Sequence, residues 1–154
     1  MVRAITFDAF GTIIDTGRDV LIGIAGQVCD DHRPGLEPEA LLATWDRYFF
    51  GAETETFLTL AEITEDSLAK AFMEYGIEAD PTPYVDRLEA LWRQARAYEE
   101  VPRVLAALDG VPRAVVSNAD HEFLQAILAR NGLRFDAVVT SESAQAYKPR
   151  PRIF

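Results

Sequence analysis

Three short apolar runs, each closed by a small polar or acidic residue, constrain this chain more than anything else in it. Residues 2–7 run into Asp8, residues 113–116 into Ser117, and residues 136–139 into Thr140. Runs this short, rich in β-branched residues, suit strands covered on both faces, as in parallel sheets. Between the second and third, Phe123, Leu124, Ile127 and Leu128 recur at helical spacing within residues 121–130. Asp120 is placed to cap that helix, and Gly132 to close it through Asn131. The pattern predicts a βαβ unit with a right-handed crossover.

Residues 16–97 read as helices without a strand. Residues 19–29 are mostly apolar, and a second helix opens with Pro38 at its first position and carries Leu41, Leu42, Trp45, Tyr48 and Phe49. Thr64 is expected to cap a third, running through Leu68, Phe72 and Tyr75 to Gly76. Thr82-Pro83 opens a fourth, with Val85, Leu88, Leu91 and Trp92 on one face, and residues 101–108 form a helix leading into the second strand. The expected fold class is therefore α/β. A Rossmann-like parallel sheet core is formed by residues 1–15 and 98–154, and a helical cap is inserted as residues 16–97.

Apolar residues make up 49% of the chain, enough to bury a core, so a globular protein is expected rather than a disordered one. A formal charge of -10 argues against general affinity for nucleic acid or an anionic membrane, since both require basic surface. Any site for an anion must then be built locally. Cys29 is the only cysteine, which excludes an intrachain disulfide and a thiolate metal cluster. The N-terminal residues lack the pattern of a signal peptide, and no run approaches the roughly 20 apolar residues of a membrane span. A cytoplasmic protein is expected.

In a parallel α/β sheet, ligands gather at the carboxyl ends of the strands. Asp8, Thr12, Ser117, Asn118 and Thr140 fall there, with Lys148 a little further on. A carboxylate straight after a buried strand has two readings. Most often it forms a turn or caps a helix; here Gly11 would also permit a tight loop whose amides face the carboxylate, with the Thr12 hydroxyl fixing its orientation. Ser117 and Asn118 offer a hydroxyl and an amide to an anionic group. Lys148 is one of two lysines against thirteen arginines, so a compact point charge has been placed before Pro149. An ordinary surface lysine is the alternative. Beside Asp8, its ammonium would keep the carboxylate ionised.

The segments FDAFGTIID, VVSNAD and KPRPRIF resemble, in order, the first three motifs of the haloacid dehalogenase superfamily. The resemblance implies Asp8 as the nucleophile, Thr12 orienting it, Ser117 and Asn118 binding the anionic end of a small substrate, and Lys148 stabilising charge. Phosphatases of that superfamily carry an acid two residues after the nucleophile, where this chain has Phe10. Phenylalanine transfers no proton, and general acid–base help contributes about 10²–10⁴-fold. The loop is thus more similar to that of the 2-haloacid dehalogenases, whose departing halide needs no proton and which use no cofactor. That reading adds Phe10 and Arg47 to the substrate site, with Arg47 receiving the halide in a partly dry pocket between Trp45 and Tyr48; a surface arginine is the competing explanation. If the chain were instead phosphatase-like, Mg2+ would be required and Asp8 would be its ligand. An inactive binding or assembly domain is the third expectation. In the superfamily, further strands beside the first carry an acidic motif that has no counterpart here. The expectation is either a piece of a longer protein or a homo-oligomer that completes the sheet.

Overall fold

The computed structural model describes residues 3–52 and 56–154. Val2, placed in the first strand from sequence, lies outside the described residues. The chain divides into two compact units, Met1–Thr16 with Arg93–Phe154, and Gly17–Trp92. Each has a hydrophobic cluster of its own.

The first unit is a three-stranded parallel sheet in the order β1 (Ile5–Phe7), β4 (Arg113–Ser117), β5 (Ala137–Thr140). Register pairs Phe7 with Val115 and Ser117 with Thr140, which brings the polar ends of the strands to one edge of the sheet. Val115, at the middle of the central strand, is fully buried. Helices α5 (Val101–Ala107) and α6 (His121–Arg130) supply Val101, Leu105, Leu124, Ile127 and Leu128 to the cluster around it. Asp120 stands at the N-cap of α6, but its side chain makes no capping bond. A short helix, α7 (Ser141–Ala144), follows β5, and a 3-10 turn spans Pro151–Ile153.

Two elements in this unit correct the sequence reading. β2 (Ile14–Asp15) and β3 (Arg96–Ala97) form an antiparallel ribbon, Ile14 opposite Ala97 and Asp15 opposite Arg96. Residues 93–97, expected with the helices, thus belong to the sheet unit. Two-residue strands carry no periodicity to be read.

The second unit contains α1 (Arg18–His32), α2 (Pro38–Phe50), α3 (Leu60–Tyr75) and α4 (Thr82–Trp92). Each lays an apolar stripe against the others: Ile24 and Val28, Leu41 and Trp45, Leu68 and Phe72, Val85 and Leu88. The start of α3 differs from expectation. Thr59, not Thr64, is the N-cap, and it forms a reciprocal capping box with Glu62. Thr64 lies inside the helix, its hydroxyl turned back to the Leu60 carbonyl. No helix among the described residues is long and apolar enough to cross a membrane.

Candidate active site

Asp8 follows directly on β1, and the loop after it turns on one buried carbonyl. The Ala9 oxygen accepts from the amides of Thr12 (3.2 Å), Ile13 (2.9 Å) and Ile14 (3.0 Å), and Gly11 donates back to the Ile14 carbonyl at 2.8 Å. Gly11 adopts φ 73°, in the left-handed region that glycine enters without penalty. The loop is tight, as expected, but its amides close on the loop itself. Only the Ala9 amide reaches the carboxylate, donating to Oδ1 at 2.8 Å.

The same oxygen accepts two more bonds. Ser117, buried at the end of β4, donates its hydroxyl to Asp8 Oδ1 at 3.1 Å. Lys148 donates its ammonium to that oxygen at 2.8 Å and to the Val116 carbonyl at 3.1 Å. Oδ2 has no hydrogen-bond partner among the described residues. With the Asp8 side chain 42% exposed and that of Lys148 25% exposed, the free oxygen can be reached from solvent.

The geometry gives three of the expected site residues definite surroundings. The exposed Thr12 makes no side-chain hydrogen bond to Asp8; the Ala9 amide, Ser117 and Lys148 hold the carboxylate instead. Ser117, expected to hold the anionic end of a substrate, gives its single hydroxyl proton to Asp8. Asn118 turns its Oδ1 to the main-chain amide of Lys148 at 2.8 Å.

The loop that carries these residues is itself pinned. Ser141 accepts the Ala119 amide at 2.9 Å and donates to the Ala119 carbonyl at 3.0 Å. Glu142 accepts the His121 amide at 2.6 Å. Thr140, fully buried, caps α7 through Ser143 and lies 3.4 Å from the His121 ring. Phe10 packs its ring 6.2 Å from that of Phe123, and the Arg93 guanidinium sits 4.8 Å above the other aromatic partner, Phe123. Phe123 was legible as a helix residue but not as the neighbour of Phe10, since a phenylalanine at helical spacing carries no sign of which ring it meets, and Arg93 was not legible at all.

Arg47 lies in the helical unit, and its surroundings are not the dry pocket expected. Its guanidinium binds both Glu74 oxygens, at 2.8 and 2.7 Å, and stacks 4.6 Å from the Tyr48 ring. Tyr48 donates to the same carboxylate, and the arginine side chain is 56% exposed. Trp45 faces the other way, buried with its indole N–H on Ser67. The hydrogen bond to Glu74 is the main reason that the Arg47 pKa is raised.

Magnesium calls for near-octahedral oxygen ligands, several of them commonly carboxylate, phosphate or water. Among the described residues no group of three or more His, Cys, Asp or Glu could hold a metal ion. Beside Asp8 stands an ammonium at 2.8 Å. The described residues around Asp8 do not by themselves supply such a ligand set.

A family model for haloacid dehalogenase-like hydrolases matches residues 2–154. The chain is 27% identical to an (S)-2-haloacid dehalogenase of Xanthobacter autotrophicus, over 98% of this chain and 59% of the relative. It is 30% identical to (S)-2-haloacid dehalogenase 4A of Burkholderia cepacia, over 99% and 66% respectively. It thus spans about three-fifths to two-thirds of the length of these curated relatives. The solved L-2-haloacid dehalogenase of Xanthobacter autotrophicus superposes with a TM-score of 0.69 at 26% identity, covering 99% of this chain and 62% of that one. The match along nearly the whole sequence, with a parallel sheet ending at Asp8, Ser117 and Thr140, places this chain in the haloacid dehalogenase-like hydrolase family.

Proposed function

We propose that the Asp8 site belongs to a 2-haloacid dehalogenase that displaces halide from carbon through a covalent aspartyl ester. The observation that carries this reading is the state of the carboxylate. One oxygen is held by three donors and the other is free, while the position two residues on is an aromatic ring rather than an acid. Oδ2 attacks C2 of the haloacid from the side opposite the halogen. The C–O bond forms as the C–halogen bond breaks, and the halide leaves with the bonding pair, needing no proton. Water then adds to the ester carbonyl and the acyl C–O bond breaks, one water proton passing to the departing hydroxyl oxygen and the other to solvent. A 2-hydroxy acid departs and Asp8 is restored. Lys148 balances the charge of Asp8 and of an arriving carboxylate. The names of the Xanthobacter and Burkholderia relatives support the same substrate class. Arg47, already paired with Glu74, takes no part in this scheme.

The test is halide release from a panel of short 2-haloacids. Asp8→Asn is expected to abolish it. Release that survives the substitution overturns the reading, and so does an intact protein that turns over an aryl phosphate but no haloacid.

A further inference from the structure

Lys148 is gripped at both ends by the same short stretch of chain, residues 116–118. Its ammonium meets the Val116 carbonyl and Asp8, and its main-chain amide meets the side-chain oxygen of Asn118, two residues further along from Val116. The ammonium sits at the end of four methylenes, so its position relative to Asp8 depends on where the backbone of residue 148 is held. The residue after it is proline, which has no amide to share that task. Asn118 is therefore the side chain that fixes the base of the lysine.

We propose that Asn118 is a positioning residue for Lys148, acting on the lysine's main chain through its Oδ1 rather than serving mainly to bind substrate. With Oδ1 taken by the Lys148 amide, the orientation of the side-chain amide is set by the protein. Loss of the acceptor frees the Lys148 backbone and lets the ammonium drift from Asp8 Oδ1. The catalytic consequence rests on the reading of Asp8 and Lys148 given above; the placement itself does not.

The first measurement needs no variant. Hydrogen exchange on the unsubstituted protein should find the Lys148 amide protected, although it lies outside every helix and strand. Exchange at the rate of an open chain overturns the proposal. The second uses an amine-reactive label with peptide mapping, made simple by there being only two lysines. Lys70, ion-paired with Asp66 and 49% exposed, is the internal reference. In Asn118→Ala the labelling of Lys148 relative to Lys70 should rise about fivefold, as loss of one hydrogen bond predicts. Asn118→Asp keeps an acceptor for the amide and should restore the unsubstituted ratio. An unchanged ratio in the alanine variant, or equal increases in both variants, overturns the proposal.

If halide release is found, Asn118→Ala should lower kcat about tenfold with KM within about twofold, the mark of a displaced charge rather than lost binding. A change confined to KM counts against the proposal. If the unsubstituted protein releases no halide, the exchange and labelling results still decide the placement. What fails then is the functional reading, not the role of Asn118.

Discussion

Asp8 presents two unlike oxygens, and the difference is built by neighbours from distant parts of the chain. Oδ1 collects the Ala9 amide, the Ser117 hydroxyl and the Lys148 ammonium, so the carboxylate cannot rotate without losing all three. On the proposed reading, in which Asp8 is the nucleophile, a carboxylate held in this way needs little reorganisation before attack. The same economy of a single side chain recurs at Asn131, at the end of α6. Its Oδ1 accepts the Ala97 amide at 2.8 Å, and its Nδ2 donates to the Ala95 carbonyl at 3.0 Å and the Ile127 carbonyl at 2.9 Å. The side chain serves β3 as a strand neighbour would. Asn131→Ala is expected to destabilise the protein by about 2 kcal/mol, because backbone groups beside the ribbon lose their partner; chemical denaturation of the two proteins measures it. Asp8 and Lys148 were legible in the sequence, one from its place after a buried run and the other from the rarity of lysine. The partners of Ser117 and Arg47 were not. Which acceptor a hydroxyl or guanidinium meets depends on strand register and helix packing, and neither is written locally.

Among the elements, long amphipathic helices were readable and their ends less so. The start of α3 shows why. Thr64 and Thr59 are both threonines ahead of apolar residues, but only Thr59 has a glutamate three residues on, and the capping box settles the start. The join between α1 and α4 was not legible at all. Tyr84 donates to Asp31 Oδ2 at 2.9 Å, and His32 Nε2 lies 2.7 Å from the same phenol oxygen. Since the phenol has one proton, the network assigns the hydrogen between them to His32 Nε2. Burial, and then the bond and charge of Asp31, push the Tyr84 pKa up to about 12 from the ordinary 10.0. A raised pKa in the folded state means stability that is fully present below pH 10 and is lost as pH rises toward 12. In a phenolate absorbance titration, one of the five tyrosines should ionise near pH 12. In Tyr84→Phe that late step should vanish, with stability lowered by about 1–3 kcal/mol at neutral pH. A titration unchanged by the substitution would show the late group to be elsewhere.

For the whole molecule, two separate hydrophobic clusters imply two responses to acid. Three carboxyl groups of the helical unit are held below their ordinary range. Glu62 is held by the Thr59 amide and then its hydroxyl, Glu74 by hydrogen bonds from Arg47 and then Tyr48, and Asp80 by the hydroxyl and then the amide of Thr82. Each therefore contributes stability above the ordinary carboxylate range, and that contribution fades as pH falls through the lowered values. Hydrogen exchange at decreasing pH should find residues 17–92 losing protection before β4 and α6; the reverse order would contradict this account. The division of the chain into sheet-forming ends and a helical middle was legible, because strand-like runs and helical periodicity fall in different stretches. The ribbon between them was not.

That ribbon has a consequence for how the protein can vary. Ile14 stands opposite Ala97, so the chain leaves the sheet unit and returns to it at neighbouring points. An excursion that begins and ends in one place exerts no tension on its anchor, whatever its length. Doubling such a segment adds only about 0.6 kcal/mol of closure entropy. The helices between Asp15 and Arg96 can thus be lengthened, shortened or exchanged for others while the scaffold carrying Asp8 and Lys148 stays as it is. The two units are free to change at different rates.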